Sequence, residues 1–265
     1  MPEPVPDIRK VNVCRYVMPL REGGSLPAIA EADDGFLYAL KFRGAGQGVK
    51  SLVAEYLGGE VARAIGLRVP EIVFANLNEG FGRTEPDEEI QDLLKASTGL
   101  NLGLHYLSGA TTFDAAAFEV DPMTASKVLW LDAFIFNVDR TARNTNMLIW
   151  QKELWLIDHG ASLYFHHAWA NSLDYITRPF AQIADHVLLP FASRLYEADE
   201  EIKGILDADF FVNLCDSIPD EFLAYPDVVE SAAEIREVYA SFFVNRFGNT
   251  SVFVNPAKSA HESII

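Results

Sequence analysis

Residues 132–160 read DAFIFNVDRTARNTNMLIWQKELWLIDHG, and the rest of the chain is read outward from them. An apolar run ends at Phe136 and a polar loop holding Asp139 and Asn144 follows. Two short apolar strands come next, then Asp158 ahead of His159-Gly160. One continuous piece of chain thus supplies a carboxylate, an amide and a second carboxylate. These are hard oxygen donors, the type that suits magnesium beside phosphate. Asp139 and Asn144 are separated by four residues, so one tight loop can turn both toward a single pocket. The carboxylate could orient or deprotonate an attacking hydroxyl. Each residue also has a plain structural reading: an Asx-type loop between helix and hairpin, and an aspartate capping a turn. Asp132, on the preceding helix, is expected to brace the loop.

Toward the N-terminus, residues 11–42 are β-rich. Val11–Val17 is a strand candidate, Gly23-Gly24-Ser25 is a flexible turn, and Asp33-Asp34-Gly35 is a second turn signal. FLYALKF alternates as a strand should and carries Lys41 near its end. After a glycine-rich loop, Leu52, Leu57, Val61 and Ile65 recur near helical spacing, with Gly66 as the stop. Glu55 lies on this helix. A strand lysine held by a helix glutamate can carry the α- and β-phosphates of a nucleotide. Alone, each is equally a strand-end lysine and a surface acid. The glycines at 58 and 59 fall inside the helix and predict close packing against a neighbour. The turn at Gly23, Gly24 and Ser25 could lay backbone N–H groups over an anion. Residues 78–100 read as polar and irregular, and residues 100–110 as a glycine-punctuated connection. Past it the chain is expected to be helical except for a hairpin at 146–157, with helices near 126–137, 199–214 and 227–246.

At 265 residues, 49% hydrophobic and 12% aromatic, the chain can bury a sizeable core. A net charge of −17 argues against an extended nucleic-acid footprint. No apolar run reaches the roughly 18 residues of a membrane span, and MPEPVPDIRK has no apolar signal region. A cytoplasmic protein is expected. Cys14 and Cys215 are expected to be buried free thiols.

Lys41, AEY with Glu55, ARAIGLRVPE, VDRTARN and LIDHG, taken in this order, resemble the HipA-like serine/threonine kinases. The resemblance runs from about Leu20 to Tyr164. It implies an α+β, two-lobed protein-kinase-like fold, with residues 1–108 as a small β-rich lobe and 109–265 as a mainly helical one. It implies ATP and Mg2+ as cofactors. Lys41 becomes the phosphate-binding lysine, Glu55 its partner, Asp139 the catalytic carboxylate of a D-x-x-x-x-N loop, and Asn144 and Asp158 the metal ligands. The Gly23-Gly24-Ser25 turn would cover the phosphates. Of Arg21, Arg140 and Arg143, Arg143 is the best placed to touch them, with a loop-bracing role as the alternative. Ser25 could accept phosphate itself. The adenine would meet the connection near Leu102–Leu107. The acceptor is expected to be a protein hydroxyl, though no residue specifies it. A nucleotide-binding pseudokinase and a transferase of AMP would use the same residues. Many relatives carry a histidine where Thr141 stands, and the chain lacks the larger N-terminal subdomain of the HipA toxin.

Overall fold

A computed structural model describes residues 8–20, 27–46, 48–83 and 85–264. Arg21, Gly23, Gly24 and Ser25 lie outside the described residues. The chain is a mixed α+β structure, β-rich in its N-terminal part and helical in its C-terminal part.

Five strands close into a barrel: β1 (Lys10–Pro19), β2 (Ala28–Ala32), β3 (Leu37–Lys41), β4 (Ile72–Leu77) and β5 (Gly99–His105). The order is β1-β2-β3-β5-β4, and the barrel closes through a parallel pairing of β1 with β4. Successive side chains on a strand point to opposite faces. Tyr38 and Leu40 therefore fill the barrel with Val11, Val13, Ala30 and Val73. Leu37, Ala39 and Lys41 face outward. The Asp33-Asp34-Gly35 turn joins β2 to β3, with Gly35 at φ 81.

Two expectations fail here. Residues 78–100 contain helix α2 (Glu88–Ala96), capped by Asp87, and its Leu94 packs into the barrel core. Residues 99–105 are not a connection but β5, paired to both β3 and β4. Gly103 fits there because a Cβ at that position would lie 3.0 Å from Val73 and 3.3 Å from Tyr38. A third departure is Cys14, which is exposed, while Cys215 is buried as expected.

Helix α1 (Gly48–Ala64) is buried from Leu52 through Ala62, and Gly66 at φ 83 follows its end. Such a helix must be contacted on every side. Its mid-helix glycines are what let its neighbours in. A Cβ at Gly58 would lie 2.8 Å from His159 and 3.1 Å from Ile135, and one at Gly59 would lie 2.6 Å from Ile72. The predicted close packing is present.

Helix α3 (Pro122–Ile135) starts with Asp121 as cap and Pro122 in the first turn, and stops at Phe136 in the left-handed conformation. The hairpin β7 (Met147–Trp150) and β8 (Glu153–Leu156) follows, with short β6 (Thr111–Thr112) on its edge. The remaining helices are α4 (Leu195–Ile205), α5 (Ala208–Asp216), α6 (Ala232–Phe247) and α7 (Ser251–Glu262), preceded by short 3-10 turns between residues 164 and 191. The single helix expected at 199–214 is two, broken before Asp207, which caps α5.

The end of α3 is held by a residue with no marker in the sequence. Arg246 on α6 is fully buried. It donates to the carbonyls of Ala133 and Phe134 on α3 and to those of Tyr175, Ile176 and Arg178. Its guanidinium also stacks 4.1 Å from the Phe136 ring. Carbonyls at a helix C-terminus lack intrahelical donors and carry partial negative charge. Burial lowers the Arg246 pKa to about 9, so the group stays charged at neutral pH. Arg246→Met would leave these buried carbonyls without donors. It is expected to cost at least about 3 kcal/mol in urea unfolding, and a loss below about 1 kcal/mol would contradict this role.

Candidate active site

The outward face of β3 meets α1 at Lys41. The Lys41 ammonium donates to Glu55 Oε2 and, at 2.5 Å, to Asp158 Oδ1. Three elements distant in sequence converge on one nitrogen. The Glu55 side chain is fully buried, that of Lys41 is 17% exposed and that of Asp158 49%. The cluster therefore runs from core to solvent and opens at Asp158. Burial opposes charge on Glu55, but the Lys41 charge and His159 outweigh it and hold the carboxyl down at about 2. Burial likewise opposes charge on Lys41, and the two carboxylates outweigh it and raise its pKa. Lys41 and Glu55 are therefore both ionised near neutral pH. Asp158 adopts φ 60, a left-handed conformation that few non-glycine residues take and that aspartate tolerates better than most. It turns the chain sharply at the end of the hairpin.

The loop after α3 brings the next pair together. Asn144 Nδ2 donates to Asp139 Oδ2 at 2.9 Å. With the amide nitrogen used this way, Oδ1 of Asn144 is the part left to face a cation. Asn146, not singled out from the sequence, adds to the same site. It is buried at φ 48, and its Nδ2 reaches the Asp139 carbonyl at 3.3 Å and Oδ2 at 3.4 Å. Both amides thus engage the same carboxylate oxygen, Oδ2, and Asp139 lines the polar cavity. The only signal for Asn146 was a polar residue directly before an apolar strand.

The loop rests on a buried ion pair. Arg140 donates to Asp132 at 2.5 Å, to the Asn146 carbonyl at 2.5 Å and to Ile157 O at 3.5 Å. Arg140 is 1% exposed, which corrects its reading as a phosphate contact. Asp132 braces the loop, as expected. His186 completes the brace: Nε2 lies 2.9 Å from Asp132 Oδ2, and Nδ1 accepts from Leu188 N. Burial would raise the Asp132 pKa, but Arg140 and His186 hold it well below the usual carboxylate range. His186 comes from a segment more than forty residues on, which no local pattern connects to the loop.

Two cavities flank Asp158. One, of about 770 Å³, is mostly apolar, with Met18, Leu20, Ala39, Leu104, Leu107 and Ile157 around Lys41. The other, of about 830 Å³, holds Asp139, Arg143, Asn144 and Asn146. Both are of ligand size, and they share Leu148, Ile157 and Asp158. Arg143 lines the polar cavity. Leu104 through Leu107 line the apolar one, whereas Leu102 is buried in the core. The donors at this site are oxygens, which suit a hard cation. No group of three or more His, Cys, Asp or Glu able to hold a metal occurs among the described residues. Two oxygen donors beside an open cavity fit magnesium, which keeps waters and substrate phosphates as its other ligands.

The Lys41–Glu55 pair makes a pH-dependent contribution to stability. The folded Glu55 carboxyl, at about 2, lies below its ordinary 4.5. The contribution is therefore complete above pH 4.5 and drains away as the pH falls toward 2. Glu55→Gln leaves Lys41 short of a buried partner and is expected to cost about 3–5 kcal/mol at pH 7. Its gap from the wild type should narrow by about 1.4 kcal/mol at pH 3.5, one pH unit below the ordinary value. Urea titrations at the two pH values check this, and an unchanged gap would contradict it.

The crystal structure of a Helicobacter pylori proinflammatory kinase, CtkA, is similar in fold: TM-score 0.56 at 10% identity, over 98% of this chain and 100% of that one. No curated protein matches the chain in sequence. The model of the HipA-like kinase family matches residues 13–251. The chain belongs to the HipA-like kinase family, a membership that implies phosphotransferase activity.

Proposed function

We propose that the chain is an ATP- and magnesium-dependent kinase that transfers the γ-phosphate to a serine or threonine hydroxyl of a protein. Residues 1–108 and 109–265 act as two lobes, with the nucleotide between them. The observation that carries this reading is the single lysine shared by Glu55 and Asp158 at the junction of an apolar and a polar cavity. The apolar cavity takes the base and sugar, and the polar one takes the terminal phosphates and the acceptor.

Lys41 neutralises the α- and β-phosphates, and Glu55 fixes its ammonium in place. Asn144 and Asp158 would hold magnesium, which neutralises charge on the phosphates when bound. Asp139 accepts a hydrogen bond from the acceptor hydroxyl and takes its proton. The hydroxyl oxygen forms the new bond to the γ-phosphorus, the bond from that phosphorus to the bridging oxygen breaks, and ADP leaves with the electron pair. Most of the acceleration comes from positioning and charge neutralisation. Arg143, on the rim of the polar cavity, supplies a further positive charge toward the γ-phosphate. The free thiols of Cys14 and Cys215 support a cytoplasmic setting.

Asp139→Ala removes the proton acceptor and leaves the nucleotide cavity unchanged. ATP binding by calorimetry should stay within a few-fold of wild type, while transfer from γ-labelled ATP to the chain or to added protein falls about 10²- to 10⁴-fold. Unchanged transfer would overturn the assignment. Mass spectrometry of the product separates a phosphate adduct from an AMP adduct, and the latter would replace this reading.

A further inference from the structure

His159 follows Asp158 and is fully buried. Neither ring nitrogen has a hydrogen-bond partner among the described residues, and neither does Oε1 of Glu55. These atoms face each other, with Nδ1 3.6 Å from Oε1. The other Glu55 oxygen is held by Lys41. Buried polar groups are rarely left without partners, so two facing orphans, one an ionised carboxylate and one a potential N–H donor, are a matched pair.

The backbone is shaped to admit the imidazole. Gly58, one turn after Glu55 on α1, leaves the space that His159 occupies, since a Cβ there would lie 2.8 Å from the His159 Cβ and 3.2 Å from its Cγ. Gly160 brings the same turn against α1, where a Cβ would sit 3.5 Å from Ser51 O and 3.6 Å from Glu55 Oε2. The Asp158-His159-Gly160 turn thus rests on the helix that carries Glu55.

We infer that His159 is a positioning residue for phosphate transfer: its Nδ1–H donates to Glu55 Oε1 and ties the Asp158 turn to α1. The inference rests on the kinase reading above. In that reading Asp158 would hold magnesium, which would leave Lys41 with Glu55 as its carboxylate partner. A Glu55 held at one oxygen only could rotate with the lysine. Held at both, it keeps the ammonium aimed at the phosphates. A phenylalanine at 159 would fill the seat and offer no donor. An asparagine places an amide N–H close to where Nδ1 sits.

The test combines kinetics with a direct view of the ring. His159→Phe should keep its melting temperature within a few degrees of wild type and lose roughly 10- to 100-fold in kcat/KM. His159→Asn should recover most of that loss. In a Glu55→Gln background His159→Phe should add nothing. Nitrogen-15 NMR of the imidazole in the full chain should show the Nδ1–H tautomer with a slowly exchanging proton. Full activity in a folded His159→Phe, or an Nε2–H tautomer, would overturn the inference and leave the kinase reading standing. If the wild type transfers no phosphate, the kinase reading fails and the positioning role falls with it, while the tautomer still decides whether the bond exists.

Discussion

The Lys41 ammonium, held between Glu55 and Asp158, is the contact the rest of the structure serves. It joins β3, α1 and the end of the β7–β8 hairpin at one nitrogen. One positive charge faces two negative ones, so the cluster carries a net negative charge beside an open cavity. A divalent cation at Asp158 would reverse that sign and free half of the lysine for an anion. Glu55 is buried completely and Asp158 is half open. That asymmetry sets a carboxylate fixed in the core against one open to the cavity.

The geometry is held from behind by buried polar side chains that do not line the cavity. Asp132, Arg140 and His186 fix the loop bearing Asp139 and Asn144. Arg246 fixes the helix end from which the loop leaves. In each case a fully buried charge meets several partners, the condition under which burial of charge is tolerated. Left-handed backbone at Phe136, Asn146, Asp158 and Leu163 clusters around the same loop and turn. Such conformations persist where surrounding packing enforces them.

Local patterns made much of this legible. Alternation in FLYALKF placed Lys41 near the end of a strand, and the spacing of Leu52, Leu57 and Val61 placed Glu55 on a helix. Four intervening residues brought Asp139 and Asn144 into contact. Three features were not legible. Gly103 disguised β5 as a connection, because its role is close packing of strands and not a turn. Asp87 as a helix cap was hidden in an acidic run. His186, Asn146 and Arg246 act through contacts across long sequence separations or through an unusual φ, which a single sequence does not display. Arg140 was misread for the same reason: an arginine beside a phosphate site and one buried under it look alike until the partner is known.

In the proposed kinase reading, Asp158 would exchange Lys41 for a metal while Glu55 would keep it. A crystal structure of the full chain with magnesium and a non-hydrolysable ATP analogue tests it most directly. The account predicts one metal bound by Asn144 Oδ1 and an Asp158 carboxylate oxygen. It also predicts Lys41 on the α- and β-phosphates with its bond to Glu55 intact. A nucleotide bound away from these cavities, or a Lys41 still bonded to Asp158 with no metal between Asp158 and Asn144, would contradict it.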